Sequence, residues 1–219
     1  MDKNQIIRKT IDFVKVELQS AEGGHDWFHI ERVHKNALLI AQGEKADAFI
    51  IELAALLHDI ADSKFHNGDE SIGPRKASQF LQSESVSQEI IDQVVYIIQN
   101  MSFKNSLESK TALNKSIEFQ IVQDADRLDA IGAIGIARCF NYGGFKNRPL
   151  YDPDIKPNLN MDKESYKKST APTINHFYEK LLLLKDQMNT QTGRKIAQER
   201  HGYMEGFLNQ FYAEWNGEK

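Results

Sequence analysis

Three short stretches of the 219-residue sequence hold side chains that bind metals or move protons. The first is His25-Asp26-Trp27-Phe28-His29-Ile30-Glu31-Arg32-Val33, the second Leu56-Leu57-His58-Asp59-Ile60-Ala61-Asp62, and the third Asp124-Ala125-Asp126-Arg127-Leu128-Asp129. The His58-Asp59 doublet is the sharpest signal. Successive residues of a helix point about 100° apart, so the two side chains do not face each other. They can still reach one ion in the notch between them, or serve two adjacent ions. An ionised aspartate buried beside a histidine is costly unless a cation or a hydrogen-bond partner compensates it. A divalent metal is such a partner, and mixed imidazole and carboxylate ligation suits Mn²⁺, Fe²⁺, Zn²⁺ or Mg²⁺. Two ligands are too few, and His29 and Asp126 can supply the rest. Arg32 lies three residues after His29 and Arg127 beside Asp126. Cations at a metal site point to an anionic substrate, with phosphate the leading candidate. Lys180, Lys185, Arg194 and Arg200 form a weaker C-terminal group suited to phosphate, or simply to a solvated helix surface.

The elements that must position these residues are helices, because apolar residues recur at helical spacing and strand alternation is scarce. Ile6, Ile7, Ile11, Val14 and Leu18 mark a first helix before Gly23-Gly24. A second is expected from about His29 to Ala41, with Asp26 as its N-cap and Trp27 and Phe28 as core or staple residues. The third, Ala46 to about Ala61, is apolar on nearly all sides and belongs at the centre of the bundle. Further helices are expected over about 71–83, 86–100 and 117–139, then over about 172–187 and 191–215. The last carries Met204, Phe207, Leu208, Phe211 and Trp215, a stripe that reads as core. Before these two C-terminal helices, Asn141 to Ala171 opens on Gly143-Gly144 and holds Pro149, Pro153 and Pro157, which predicts a long irregular excursion whose Gly-Gly turn is flanked by Tyr142 and Arg148 as lid candidates.

Composition removes several alternatives. The chain carries 27 Lys plus Arg against 31 Asp plus Glu, a net charge of -4, which disfavours a general nucleic-acid binder. No run reaches the ~20 apolar residues of a membrane span, and the N-terminus has no apolar core of a signal peptide. Cys139 is the single cysteine, so an intrachain disulfide and a cysteine zinc cage are excluded and a reducing, cytoplasmic setting is expected. Any metal chemistry must rest on the seven histidines and the carboxylates. Length favours one domain, residues 1–219. His34, His66, His176 and His201 carry no motif and read as structural or solvent-facing.

The order His29, His58-Asp59, Asp126 resembles the HD superfamily of metal-dependent phosphohydrolases. The local text carries the resemblance: His29-Ile30-Glu31-Arg32-Val33, the apolar run Leu53-Ala54-Ala55-Leu56-Leu57 before the doublet, and Ala125-Asp126-Arg127-Leu128. It spans roughly residues 25–140, and the phrases HDWFHIERV and DADRLDAIGAIGIAR look like the small bacterial members that act on nucleotides. The resemblance implies an all-α HD-domain bundle, with the helices at about 172–215 packed on it. It implies one divalent ion, Mn²⁺ favoured over Mg²⁺, Fe²⁺, Zn²⁺ or Co²⁺, held by His29, His58, Asp59 and Asp126. Asp126 takes the Ala-Asp-x-Leu slot in preference to Asp124, which is left as a supporting residue or cap. Asp62, three residues after Asp59, is the implied proton-handling group, and Arg32, Lys64 and Arg127 are the cations for the phosphate. The expected activity is hydrolysis of a nucleotide, first a phosphoanhydride of a nucleoside triphosphate. A nucleoside monophosphatase, a phosphodiesterase, an alarmone hydrolase and a non-catalytic metal-binding regulatory domain are the alternatives. The expected partner is that small phosphate ester, with no nucleic acid and no membrane; a homodimer is left open.

Overall fold

The computed structural model describes residues 2–19, 26–61, 69–101, 115–161 and 163–219, and among these the regular elements are all helical. His25, Asp62, Lys64 and His66 lie outside the described residues. The chain divides into two compact units, Met1–Asp126 and Arg127–Lys219.

The first unit contains α1 (Lys3–Glu17), α2 (Trp27–Ala41), α3 (Ala48–Leu57), α4 (Ile72–Ser83), α5 (Gln88–Asn100) and all but the last turn of α6 (Ile117–Asp129). As its composition requires, α3 is central: Phe49, Ile50, Ile51 and every residue from Leu53 to Leu57 are buried, and α1, α2 and α5 pack against it. Helix starts follow the capping rules. Asp2 accepts from Asn4 N and Gln5 N, Asp26 from His29 N at 3.0 Å, and Asp47 from Phe49 N at 2.8 Å. Two expectations are corrected. Phe28 is 62% exposed rather than core, while Trp27 is partly covered by Lys15, whose Nζ stands 4.8 Å over its ring. And α3 stops at Leu57 rather than near Ala61, because His58 takes the C-cap position and its imidazole bonds back to the Ala55 carbonyl.

The second unit holds α7 (Gly132–Phe145), α8 (Lys163–Lys168), α9 (Asn175–Glu179), a 3₁₀ segment (Leu181–Gln187) and α10 (Gln191–Trp215). The single helix expected over 117–139 is therefore two. Ala130 N and Ile131 N bond to carbonyls three residues back, at 3.1 and 3.3 Å, which tightens and ends α6. Ile131 is then extended and Gly132 takes φ +74°, a left-handed conformation open to glycine at little cost. The apolar periodicity stays in phase across this break, so it gave no warning. A Cβ on Gly135 would fall onto the Ala130 carbonyl, so the turn closes only around glycine. Helix α7 continues through Gly143-Gly144 to Phe145, later than expected, with Gly143 packed on Thr173.

The excursion that follows is irregular apart from α8, and its two ends are stitched together. Thr173 N bonds to the Pro149 carbonyl at 2.9 Å and Ile174 N to that of Leu150 at 3.0 Å. Arg148 donates to the Ser169 carbonyl and lies over the Tyr142 ring. The helix expected over 172–187 is broken at Lys180 (φ -146°, ψ -57°) into α9 and the 3₁₀ segment. In α10, Met204 and Leu208 are buried as expected, whereas Trp215 is half exposed and leans on Tyr151, ring centres 5.0 Å apart.

Backbone constraints at the α6–α7 turn should be directly measurable. Gly135→Ala is expected to destabilise by on the order of 2–3 kcal/mol through overpacking against fixed backbone. Gly132→Ala, which combines positive φ with a Cβ 3.0 Å from Arg200 Cβ, should cost about 1–2 kcal/mol. Urea denaturation of the two variants checks both.

His176 supplies a second test. Burial, reinforced by Lys180 and Arg148, pushes its imidazole from the ordinary 6.5 down to about 3. Above pH 6.5 folded and unfolded chains are both neutral at this position. Below it the unfolded chain takes up a proton that the folded one refuses, so stability falls as the pH drops from 6.5 towards 3. His176→Leu should remove nearly one proton from that acid limb, flattening its slope by up to about 1.4 kcal/mol per pH unit in urea titrations run at successive pH values.

Candidate metal centre

His29, in the first turn of α2, is 2% exposed. The Asp26 cap fixes the start of that turn by accepting the His29 backbone N–H. His58 caps α3 with its side chain only 5% exposed. Asp126 projects from α6 with its side chain 36% exposed. The Asp126 Oδ1 atom stands 3.6 Å from His29 Nε2 and 3.9 Å from His58 Nε2. The two imidazoles meet edge to face, ring centres 5.3 Å apart at 68°. One ligand atom from each of the three residues lies within 4.8 Å of the other two.

The protonation of His58 follows from its contacts. Nδ1 lies 2.9 Å from the Ala55 carbonyl, and a carbonyl only accepts, so Nδ1 carries the proton. Nε2 is left with its lone pair, fully buried and without a hydrogen-bond partner among the described residues. A buried nitrogen lone pair left bare is costly. Two ligands at about 2.1 Å from one ion and at 90–110° stand roughly 3.0–3.4 Å apart. The 3.6 and 3.9 Å separations from Asp126 are wider than that arrangement and too long for good hydrogen bonds, so the donors would draw inward around an ion. Buried imidazoles behind, a half-open carboxylate in front and an unpartnered Nε2 together fit a divalent cation.

The other residues singled out from sequence are placed differently. Asp59, partly buried in the turn after α3, is not one of the three that converge. Asp124, two residues before Asp126 on α6, is fully buried and also stands apart from the cluster. Arg32 is half-buried on α2, one turn from His29. Arg127 is 6% exposed and its Nη1 donates to the Gln187 carbonyl. Two of the four C-terminal cations are structural: Arg194 bonds to the Met188 and Asn189 carbonyls at 3.0 and 3.1 Å, and Arg200 to that of Leu128. Sequence reasoning missed Asn36. It is buried on α2 among Val33, Ala37 and Ile40, and its Nδ2 donates to the Ala125 carbonyl at 3.3 Å. The legible signal was a polar residue at i+7 from His29, inside an apolar stripe.

Known proteins resemble this chain along nearly its whole length. The HD domain model matches residues 27–131, a span that contains all three converging residues. YpgQ of Bacillus subtilis is 42% identical over 199 residues, covering 90% of this chain and 88% of YpgQ. A crystal structure of an HD-superfamily hydrolase from Bacillus thuringiensis aligns with 48% identity and a TM-score of 0.77 over 98% of each chain. The crystal structure of YpgQ in complex with ADP aligns with a TM-score of 0.74 and 36% identity, over 98% of this chain and 97% of that one. With its helical architecture and its His-His-Asp cluster, the chain belongs to the HD superfamily and is a metal-dependent phosphohydrolase.

Proposed function

We propose that this phosphohydrolase acts on nucleotides, cutting a phosphoanhydride bond of nucleoside triphosphates, with one divalent ion held by His29, His58, Asp59 and Asp126. The observation that carries the metal assignment is His58 Nε2, buried and without a hydrogen-bond partner beside His29 and Asp126. Asp59, next to His58 in the turn after α3 and outside the three-residue cluster, is the fourth ligand that the resemblance to the family implies. Mixed nitrogen and oxygen donors favour Mn²⁺, with Mg²⁺, Fe²⁺, Zn²⁺ and Co²⁺ as the other candidates. Support for a nucleotide comes from YpgQ, which has been crystallised in complex with ADP. A cytoplasmic enzyme is consistent with a single thiol, Cys139, and with the absence, among the described residues, of a helix long and apolar enough to cross a membrane.

A divalent ion at this position supplies Lewis acidity, making water nucleophilic at neutral pH and drawing charge from a phosphoryl oxygen. The protein's part is to hold its donors ready. His29 and His58 present ring nitrogens from buried positions, and the Ala55 carbonyl keeps the His58 ring in one orientation. Asp126 offers its carboxylate where solvent, and hence substrate, can arrive. Arg32 and Lys64 are assigned to the charge of the phosphate. Asp62 is assigned to the proton balance of water attack and leaving-group departure. Arg127 is better suited to hold backbone, given its bond to Gln187.

A nucleotide panel with added Mn²⁺, read for both pyrophosphate and orthophosphate, tests this function. Pyrophosphate and a nucleoside monophosphate in equal amounts are expected from a triphosphate; orthophosphate released from monophosphates would instead assign a nucleoside monophosphatase. His58→Ala and Asp126→Ala should each lower turnover by at least about a hundredfold, the upper range for loss of a mere supporting partner. Unchanged turnover in His58→Ala would remove the metal assignment.

A further inference from the structure

Helix α2 carries His29 on the same buried face as Val33, Asn36, Ala37 and Ile40. Asn36 is the one amide in this stripe, and an apolar residue there would pack without any hydrogen-bonding requirement. It stands seven residues, close to two full turns, after His29, so both side chains leave the helix in nearly the same direction. Its Nδ2 donates to the Ala125 carbonyl at 3.3 Å. Ala125 is fully buried on α6 and immediately precedes Asp126. A carbonyl within a helix has a second lone pair, so this bond is compatible with regular backbone pairing in α6.

Apolar contacts between helices are non-directional, so they resist separation but fix sliding poorly. A slide of one residue is about 1.5 Å, a shift large enough to spoil the 3.6 Å approach of His29 to Asp126. A hydrogen bond is directional and defines one register. Single polar groups in apolar helix contacts are well suited to that task. We infer that Asn36 is a positioning residue for the metal centre: by bonding to the backbone beside Asp126, it sets the register of α6 against α2 and hence the spacing of His29 and Asp126. The role rests on the metal reading of the cluster proposed above.

The test uses Mn²⁺ alone as probe, titrated into the full chain and followed by electron paramagnetic resonance. The variants are Asn36→Leu, Asn36→Ala and His58→Ala. At least one Asn36 variant is expected to keep the wild-type circular dichroism spectrum and a similar melting temperature, while its Mn²⁺ dissociation constant rises on the order of tenfold. The visible absorption of bound Co²⁺ should change in the same variant, since ligand geometry and not only occupancy is altered. A folded Asn36 variant with wild-type Mn²⁺ affinity and Co²⁺ spectrum overturns the role, and so does unfolding of both, which would make Asn36 a requirement of the fold. His58→Ala separates the two readings. Lost Mn²⁺ binding there alongside wild-type affinity in the Asn36 variants removes only Asn36, whereas wild-type binding in His58→Ala removes the metal centre and this inference with it.

Discussion

The bond between His58 Nδ1 and the Ala55 carbonyl constrains the centre more than any other single contact. It ends α3, it fixes the imidazole tautomer, and it leaves Nε2 buried with an unused lone pair. A protein gains nothing in stability from such an atom, since an apolar side chain would fill the same space without the polar penalty. The penalty is tolerated because α3 is apolar apart from Glu52 and anchors the first unit. The most hydrophobic helix thus ends on a buried nitrogen without a hydrogen-bond partner, which fits a site whose missing partner is a ligand.

Burial divides the labour around that nitrogen. The two imidazoles are nearly inaccessible, while the carboxylate retains contact with solvent. A neutral histidine bears burial well; a charged aspartate bears it poorly unless it is compensated. Each donor therefore sits where its own electrostatics are least costly, and the open side of the centre is the side of the anion.

Legibility from sequence followed the physics of each feature. The helices of the first unit, the Asp26 cap and the buried character of α3 were readable because periodicity and capping chemistry are local. Ligand candidates were readable because their order along the chain is distinctive, yet their convergence was not: Asp126 joins the histidines in space while Asp59 and Asp124 do not. The α6–α7 break escaped detection because Leu128, Ile131 and Ile136 stand at i, i+3 and i+8, a helical spacing that runs across a turn fixed by the dihedral angle of Gly132. The C-terminal arginines were misjudged for a related reason. Charge suggested phosphate or open surface, but Arg194 and Arg200 bond to backbone carbonyls at element ends, contacts that only the folded chain brings within reach.

The excursion after α7 is closed at its base by two backbone hydrogen bonds, from Thr173 to Pro149 and from Ile174 to Leu150. Beyond these anchors its helical neighbours meet the loop at particular residues, Tyr151 against Trp215 and the Ile155 carbonyl, which accepts from Asn175. The entropy of closing such a loop grows only logarithmically with its length. Changes of loop length that spare Tyr151 and Ile155 are thus inexpensive for the scaffold. Evolution can redraw this part of the surface, lineage by lineage, while the helices and the ligand cluster stay as they are.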